Sequence, residues 1–141
     1  MAFKFEELKV WKKSLELSLL MHSATLKFPK EEQYVLTSQI KRASDSISLN
    51  IAEGSTGQSD AEFNKFLGYS LRSAIEVVGC IYLAKKRNII SDEDFDSIYT
   101  FINELVKMIQ ALRNSLKQLN KSTDDRPQTK LAVDLISMDL Y

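Results

Sequence analysis

Apolar residues recur three and four positions apart along nearly the whole of this chain, and nowhere do they alternate over a long run. That spacing gathers them on one face of a helix, which turns once every ~3.6 residues. Glycine and proline punctuate the pattern sparsely. Pro29 breaks it once, Gly54 and Gly57 break it again, and a third break near Arg87-Asn88-Ile89-Ile90-Ser91 contains neither residue. Four helices follow. The first spans about Glu6 to Lys27, with Val10, Leu17, Met21 and Ala24 on one face and Leu8, Trp11, Leu15 and Leu19 widening it. The second spans about Lys30 to Glu53, with a stripe of Leu36, Ile40, Ala43, Ile47 and Ile51. The third opens on Ser59-Asp60-Ala61-Glu62, a capping-box sequence, and carries Phe63, Leu67, Ser70, Ala74, Val77, Ile81 and Ala84. The fourth opens on Ser91 followed by Asp92, Glu93 and Asp94, acids that suit the positive end of a helix dipole. Its stripe is Phe95, Ile98, Ile102, Leu105, Ile109, Leu112, Leu116 and Leu119, a coiled-coil-like seam.

No Asn-Gly or Asp-Gly hairpin turn occurs. Four amphipathic helices on short loops are expected to form an all-α, antiparallel up-down-up-down four-helix bundle over residues 1–120. Residues 121–141 change character: a polar, proline-broken linker leads to Leu131, Val133, Leu135, Ile136, Met138 and Leu140, read as a weakly ordered tail.

Nineteen basic and nineteen acidic side chains cancel, which removes a global positive field as an argument for nucleic-acid binding and leaves only local patches. Cys80 is the sole cysteine, so no intramolecular disulfide can form, and a reducing compartment fits. The N-terminus carries acidic residues and no apolar signal core, and the longest apolar run near it, Leu19-Leu20-Met21, is far short of a membrane span. A soluble, cytoplasmic protein with no membrane partner is the expectation.

The chain resembles the 23S ribosomal RNA intervening-sequence protein family, also called four-helix bundle proteins, over about residues 5–118. The resemblance is carried by Leu8-Lys9-Val10-Trp11-Lys12-Lys13, Phe28-Pro29, Glu32, Leu36, Gln39-Ile40, Arg42-Ala43, Ser46-Ile47 and Asn50-Ile51-Ala52-Glu53-Gly54. Phe63, Phe66-Leu67 and Ser70-Leu71 continue it. It implies a bacterial, left-handed bundle that assembles as a homopentamer, without enzymatic activity. Some members are encoded inside insertions in ribosomal RNA genes. A related branch comprises accessory proteins of diversity-generating retroelements, which bind a reverse transcriptase and nucleic acid. This chain has Ser73 and Ala74 where the family tends to have glutamate and leucine, and it is neutral where the retroelement branch is strongly basic.

Beside the apolar stripe of the second helix, Gln39, Arg42, Ser46, Asn50 and Glu53 form a polar line roughly a quarter-turn away. Side chains so placed are expected to be half-buried and to need partners, since an unpaired buried polar group costs ~1–3 kcal/mol. The line reads first as a hydrogen-bonded seam, between helices or between subunits, with Arg42 meeting Glu76 or Glu53 of another chain. Its second reading is a groove for RNA or a protein. Lys12 and Lys13 (with Lys9), and Lys85, Lys86 and Arg87, are candidate phosphate contacts at opposite ends of the bundle. Cations at the end of the third helix also answer its dipole.

Gly68 and Gly79 share a face inside the third helix and predict a close helix approach, whereas Gly54 reads as a helix-capping glycine. The lone histidine, His22, leaves little material for a metal site or a triad, and Asp92, Glu93, Asp94 and Asp96 read as a solvated helix start. Phe66, Tyr69, Ile75, Val78 and Tyr82, with Phe101, Val106 and Met108, exceed one core face and predict a second partner. No cofactor is expected. The functional reading is a non-enzymatic, self-assembling module associated with ribosomal RNA, with a protein adaptor or a retroelement accessory protein as the alternatives.

Overall fold

The computed structural model describes residues 2–122, with side chains described as far as Lys117. The 121–141 tail, and the Leu119 side chain, therefore lie outside the described residues apart from the backbone of Lys121 and Ser122. Four helices make up the fold: α1 (Lys9–Thr25), α2 (Leu36–Ser55), α3 (Asp60–Lys86) and α4 (Asp92–Ser122). The described residues contain no strand. Two short 3-10 turns precede the first two helices, over Lys4–Glu7 and Lys30–Glu32. The second stands where α-helix is expected from the sequence, and the first overlaps that expectation only at Glu6 and Glu7. Leu8 and Val35 take non-helical backbone angles and separate each turn from the helix behind it.

α1 packs on α2 and α4, and α3 packs on α2 and α4. Cross-helix pairs give the directions. Lys13 meets Glu104 while Lys27 meets Asp94, so α1 and α4 run in opposite senses. Ser46 meets Ser73 while Gly54 abuts Phe66, and Asn64 meets Arg113 while Tyr82 abuts Phe95. These pairs make α3 antiparallel to both α2 and α4.

The expected stripes of α2 and α3 are buried throughout, as are Val10, Leu17, Met21 and Ala24 of α1 and the described stripe of α4. Burying a leucine or isoleucine side chain contributes ~1.5–3 kcal/mol, so this seam is the main source of stability. Small hydroxyls let α2 sit close to its neighbours. Ser44, Ser48 and Ser55 donate back to carbonyls three residues earlier, and Ser70 of α3 donates across to the Ile47 carbonyl at 2.9 Å. Each hydroxyl is thereby satisfied without solvent.

Three expectations are corrected by packing. Leu15 and Leu19 do not widen the core of α1: they are exposed, together with Leu26. Gly54 lies inside the last turn of α2 with no positive φ, and a Cβ there would stand 2.5 Å from the Phe66 Cβ. It is the close-approach glycine. Gly68 and Gly79 face away from the core instead: a Cβ on Gly79 would meet nothing within 4 Å, and the nearest neighbour of one on Gly68 would be the Arg113 guanidinium.

Helix ends follow local chemistry. Ser59 accepts from the Glu62 amide, while the Glu62 carboxylate reaches the Gln58 amide rather than that of Ser59. Ser91 accepts from the Asp94 amide at 3.0 Å. The glycine-free break after α3 is a left-handed turn at Asn88 (φ 58), with the Ile89 amide bonding the Ala84 carbonyl. Asparagine tolerates that conformation better than other side-chain-bearing residues.

α3 is also apolar enough, by length and composition alone, to cross a membrane: an 18-residue window reaches a mean hydropathy of 1.3. Much of this apolarity is the buried stripe from Phe63 to Ala84.

Candidate functional site

The polar line of α2 divides in two. Ser46 and Asn50 are half-buried and belong to the packing. Ser46 bonds Ser73 across the α2–α3 contact, and the Asn50 amide donates to the Ser46 carbonyl at 2.8 Å. Ser73 thus completes a hydroxyl pair. Gln39, Arg42 and Glu53 are exposed rather than half-buried, and no side-chain partner among the described residues engages them. The intrachain Arg42–Glu76 pair does not form. For Arg42 and Glu53 the physical reason is angular: they sit further round the helix toward solvent than Ser46 and Asn50, so water solvates them, whereas Gln39 shares the angle of Ser46 and Asn50 but lies in the first turn of α2.

The basic candidates also divide. Lys13 is held by Glu104 at 2.9 Å and lies over the Phe101 ring at 4.5 Å, which ties α1 to α4. That hydrogen bond and charge lower the Glu104 pKa below the ordinary carboxylate value. Arg87 donates to both oxygens of Glu32 at 3.2 and 3.3 Å, fastening the end of α3 to the first interhelix turn. Lys85 lies 4.3 Å above the Phe95 ring. Lys12 and Lys86 are exposed, and neither has a described partner. Lys12 and Lys86 stand at opposite ends of the bundle, as the directions of α1 and α3 require.

Cys80 is buried, and desolvation, with Glu76 second, raises its thiol pKa. That is the opposite of what a nucleophile needs. His22 instead meets Asp45 at 3.2 Å, beside Ser18, in a polar link from α1 to α2. No group of three or more potential ligands close enough to hold a metal occurs among the described residues.

Two surface depressions lie along α3. One, of about 430 Å³, is lined by Tyr82, Lys85, Lys86 and Asn88 at the end of the helix. The other, of about 570 Å³, runs between α3 and α4 and is lined by Lys65, Gly68, Tyr69, Leu71, Arg72, Ile75 and Arg113. Neither lining contains a carboxylate, and each sets cations beside a tyrosine. A third, of about 120 Å³, is spanned by the Lys27–Asp94 ion pair. The second depression escaped sequence reasoning. Lys65, Tyr69 and Arg72 lie within two turns of α3, but Tyr69 reads from the sequence as surplus apolar surface, and Arg113 arrives from α4, 41 positions beyond Arg72.

A four-helix bundle with a buried apolar seam and cation-lined open grooves, and no enclosed described pocket rich in titratable groups, defines the class: an all-α helical-bundle protein. Within that class, the chain belongs to the 23S rRNA-intervening sequence protein family, whose sequence model matches residues 6–111. A solved structure from Bacteroides thetaiotaomicron, described as a protein of unknown function from the S23 ribosomal protein family, is 27% identical. It superposes with a TM-score of 0.67, covering 74% of this chain and 97% of that one. No curated protein matches.

Proposed function

We propose that this protein is a non-enzymatic bundle that assembles with copies of itself and associates with ribosomal RNA through repeated cationic grooves. The observation that carries the reading is the segregation of charge: a chain of zero formal net charge places two carboxylate-free, tyrosine-bearing basic depressions along one helix. Local positive potential, rather than net charge, governs phosphate contact. Membership of a family named for sequences intervening in 23S rRNA agrees with such a target. Self-assembly is supported by Leu15, Leu19 and Leu26, which line the outer side of α1 at 42%, 69% and 83% exposure. A row of leucines left in water favours a second copy. The homopentamer that the family resemblance implies would multiply weak grooves into useful avidity.

The test is fluorescence anisotropy with a labelled 23S rRNA stem-loop across a salt series, with the mass of the assembly measured by light scattering. The expected result is an assembly larger than the monomer. Its log affinity should fall linearly with log salt at a slope equivalent to several phosphates. Absence of binding at low salt would remove the RNA reading and leave a protein adaptor.

A further inference from the structure

The groove between α3 and α4 has features beyond positive charge. Arg113 is oriented in advance: its Nε donates to Asn64 Oδ1 at 2.7 Å. Its guanidinium lies over Gly68, where an added Cβ would be 3.4 Å from Nη2 and 3.7 Å from Nη1. A side chain larger than alanine at this position would crowd the guanidinium or fill the groove floor. An added methyl group alone would make ordinary contact with the guanidinium, so it is the larger side chains that the groove floor excludes. Arg72, one turn further along α3, is exposed, and no described carboxylate engages it. Lys65 stands 5.9 Å from the centre of the Tyr69 ring. Tyr69 is itself 37% exposed and is braced edge-on by Phe66 at 5.5 Å and 81°. Ile75, 65% exposed, forms an apolar wall at the far end.

We infer that this groove binds an unpaired stretch of single-stranded RNA, with phosphate held by Arg72 and Arg113 and a base stacked on Tyr69. The inference rests on the RNA reading above and names its site. Three converging cations without an acid among them suit an anion, and a guanidinium already fixed by a hydrogen bond loses little freedom on binding it. The exposed aromatic ring and the aliphatic wall suit the flat face of a base, which duplex RNA keeps inside its stack. The volume falls within the ~300–1,000 Å³ typical of small-ligand sites and so accommodates one or two nucleotides.

The experiment uses the full chain and a fluorescein-labelled octamer of single-stranded uridine or adenosine RNA, read by anisotropy. The 23S stem-loop is titrated in parallel. Wild type should bind the octamer at low salt. Tyr69→Leu and Arg72→Ala should each weaken binding on the order of tenfold. Arg72→Ala should also reduce the salt slope by about one, and Arg72→Lys should restore that slope. Lys30→Ala, at an exposed cation outside both depressions, should change octamer affinity less than twofold. Since Tyr69 and Arg72 are exposed, circular dichroism and thermal melts should show the variants folded. Octamer affinity unchanged in both groove variants, or no octamer binding by wild type, overturns the inference. If the stem-loop still binds in either of those cases, the ribosomal RNA reading survives and only the groove is lost. If neither RNA binds, both fall. Displacement of the octamer by a poly-glutamate peptide, together with octamer affinity unaffected by Tyr69→Leu, would make the groove an acidic-peptide site and also overturn the inference.

Discussion

At the scale of single residues, the glycines show how burial changes the meaning of an identity. Gly54 permits contact with Phe66, because a methyl group would begin 2.5 Å from the Phe66 Cβ, an atom that cannot swing away without moving the α3 backbone. Gly54→Ala should therefore destabilise the fold by on the order of 1–3 kcal/mol despite alanine's better helix propensity. Gly79→Ala meets open space and should stabilise by up to ~1 kcal/mol. Urea denaturation of the two variants beside wild type checks the opposite signs. The same logic separates the two halves of the α2 line. Ser46 and Asn50 are tied into packing, whereas Arg42 remains in water, available to a partner.

At the scale of the element, helix ends are set by short-range chemistry that packing then uses. α3 stops at a left-handed asparagine, and the turn carries half-buried Ile89 and Ile90 against the core. Asn88→Val should cost about 1–2 kcal/mol, because a β-branched side chain is strained at positive φ, while Asn88→Gly should be neutral or slightly stabilising. Thermal unfolding monitored at 222 nm distinguishes them, and equal melting temperatures would mean that the cap carries no energy. The Arg87–Glu32 pair beside this turn links the end of α3 to the turn preceding α2. Being partly exposed, it contributes little beyond fixing that approach.

At the scale of the whole molecule, apolar surface is divided between inside and outside differently from the helical wheels. Val78, Phe101, Val106 and Met108, read from sequence as surplus for a partner, pack against the bundle's own core. Leu15 and Leu19, read as core, face outward with Leu26. In the self-assembly proposed above, the α1 leucines are the surface for a second copy, away from the α3–α4 groove, while Tyr69, Ile75 and Tyr82 of the expected surplus stay exposed on α3. Leu19→Lys and Leu26→Lys together should reduce the mass seen by light scattering to that of the monomer while leaving the helical spectrum intact. Retention of the wild-type mass would place the assembly contact elsewhere. Loss of assembly should also weaken stem-loop binding, since avidity over repeated grooves disappears.

Periodicity alone determined that this chain is all-α, that it has four long helices, and which residues form the central seam. Those properties depend on spacing along one helix and on which residues avoid water, both of which are local. Capping signals at Ser59 and Ser91 were legible for the same reason. The motif residues between Leu8 and Leu71 were enough to suggest the family, and the match over residues 6–111 established it. The tertiary structure decided what each helix does with its flanks. Whether a leucine beside the seam meets a neighbour or water depends on the rotation of the helix against two others. Whether a glycine is crowded depends on the distance to another backbone, as Gly54 and Gly79 show. The groove is the plainest case: Arg113 and Arg72 are far apart in sequence and line one depression only because α4 returns antiparallel along α3.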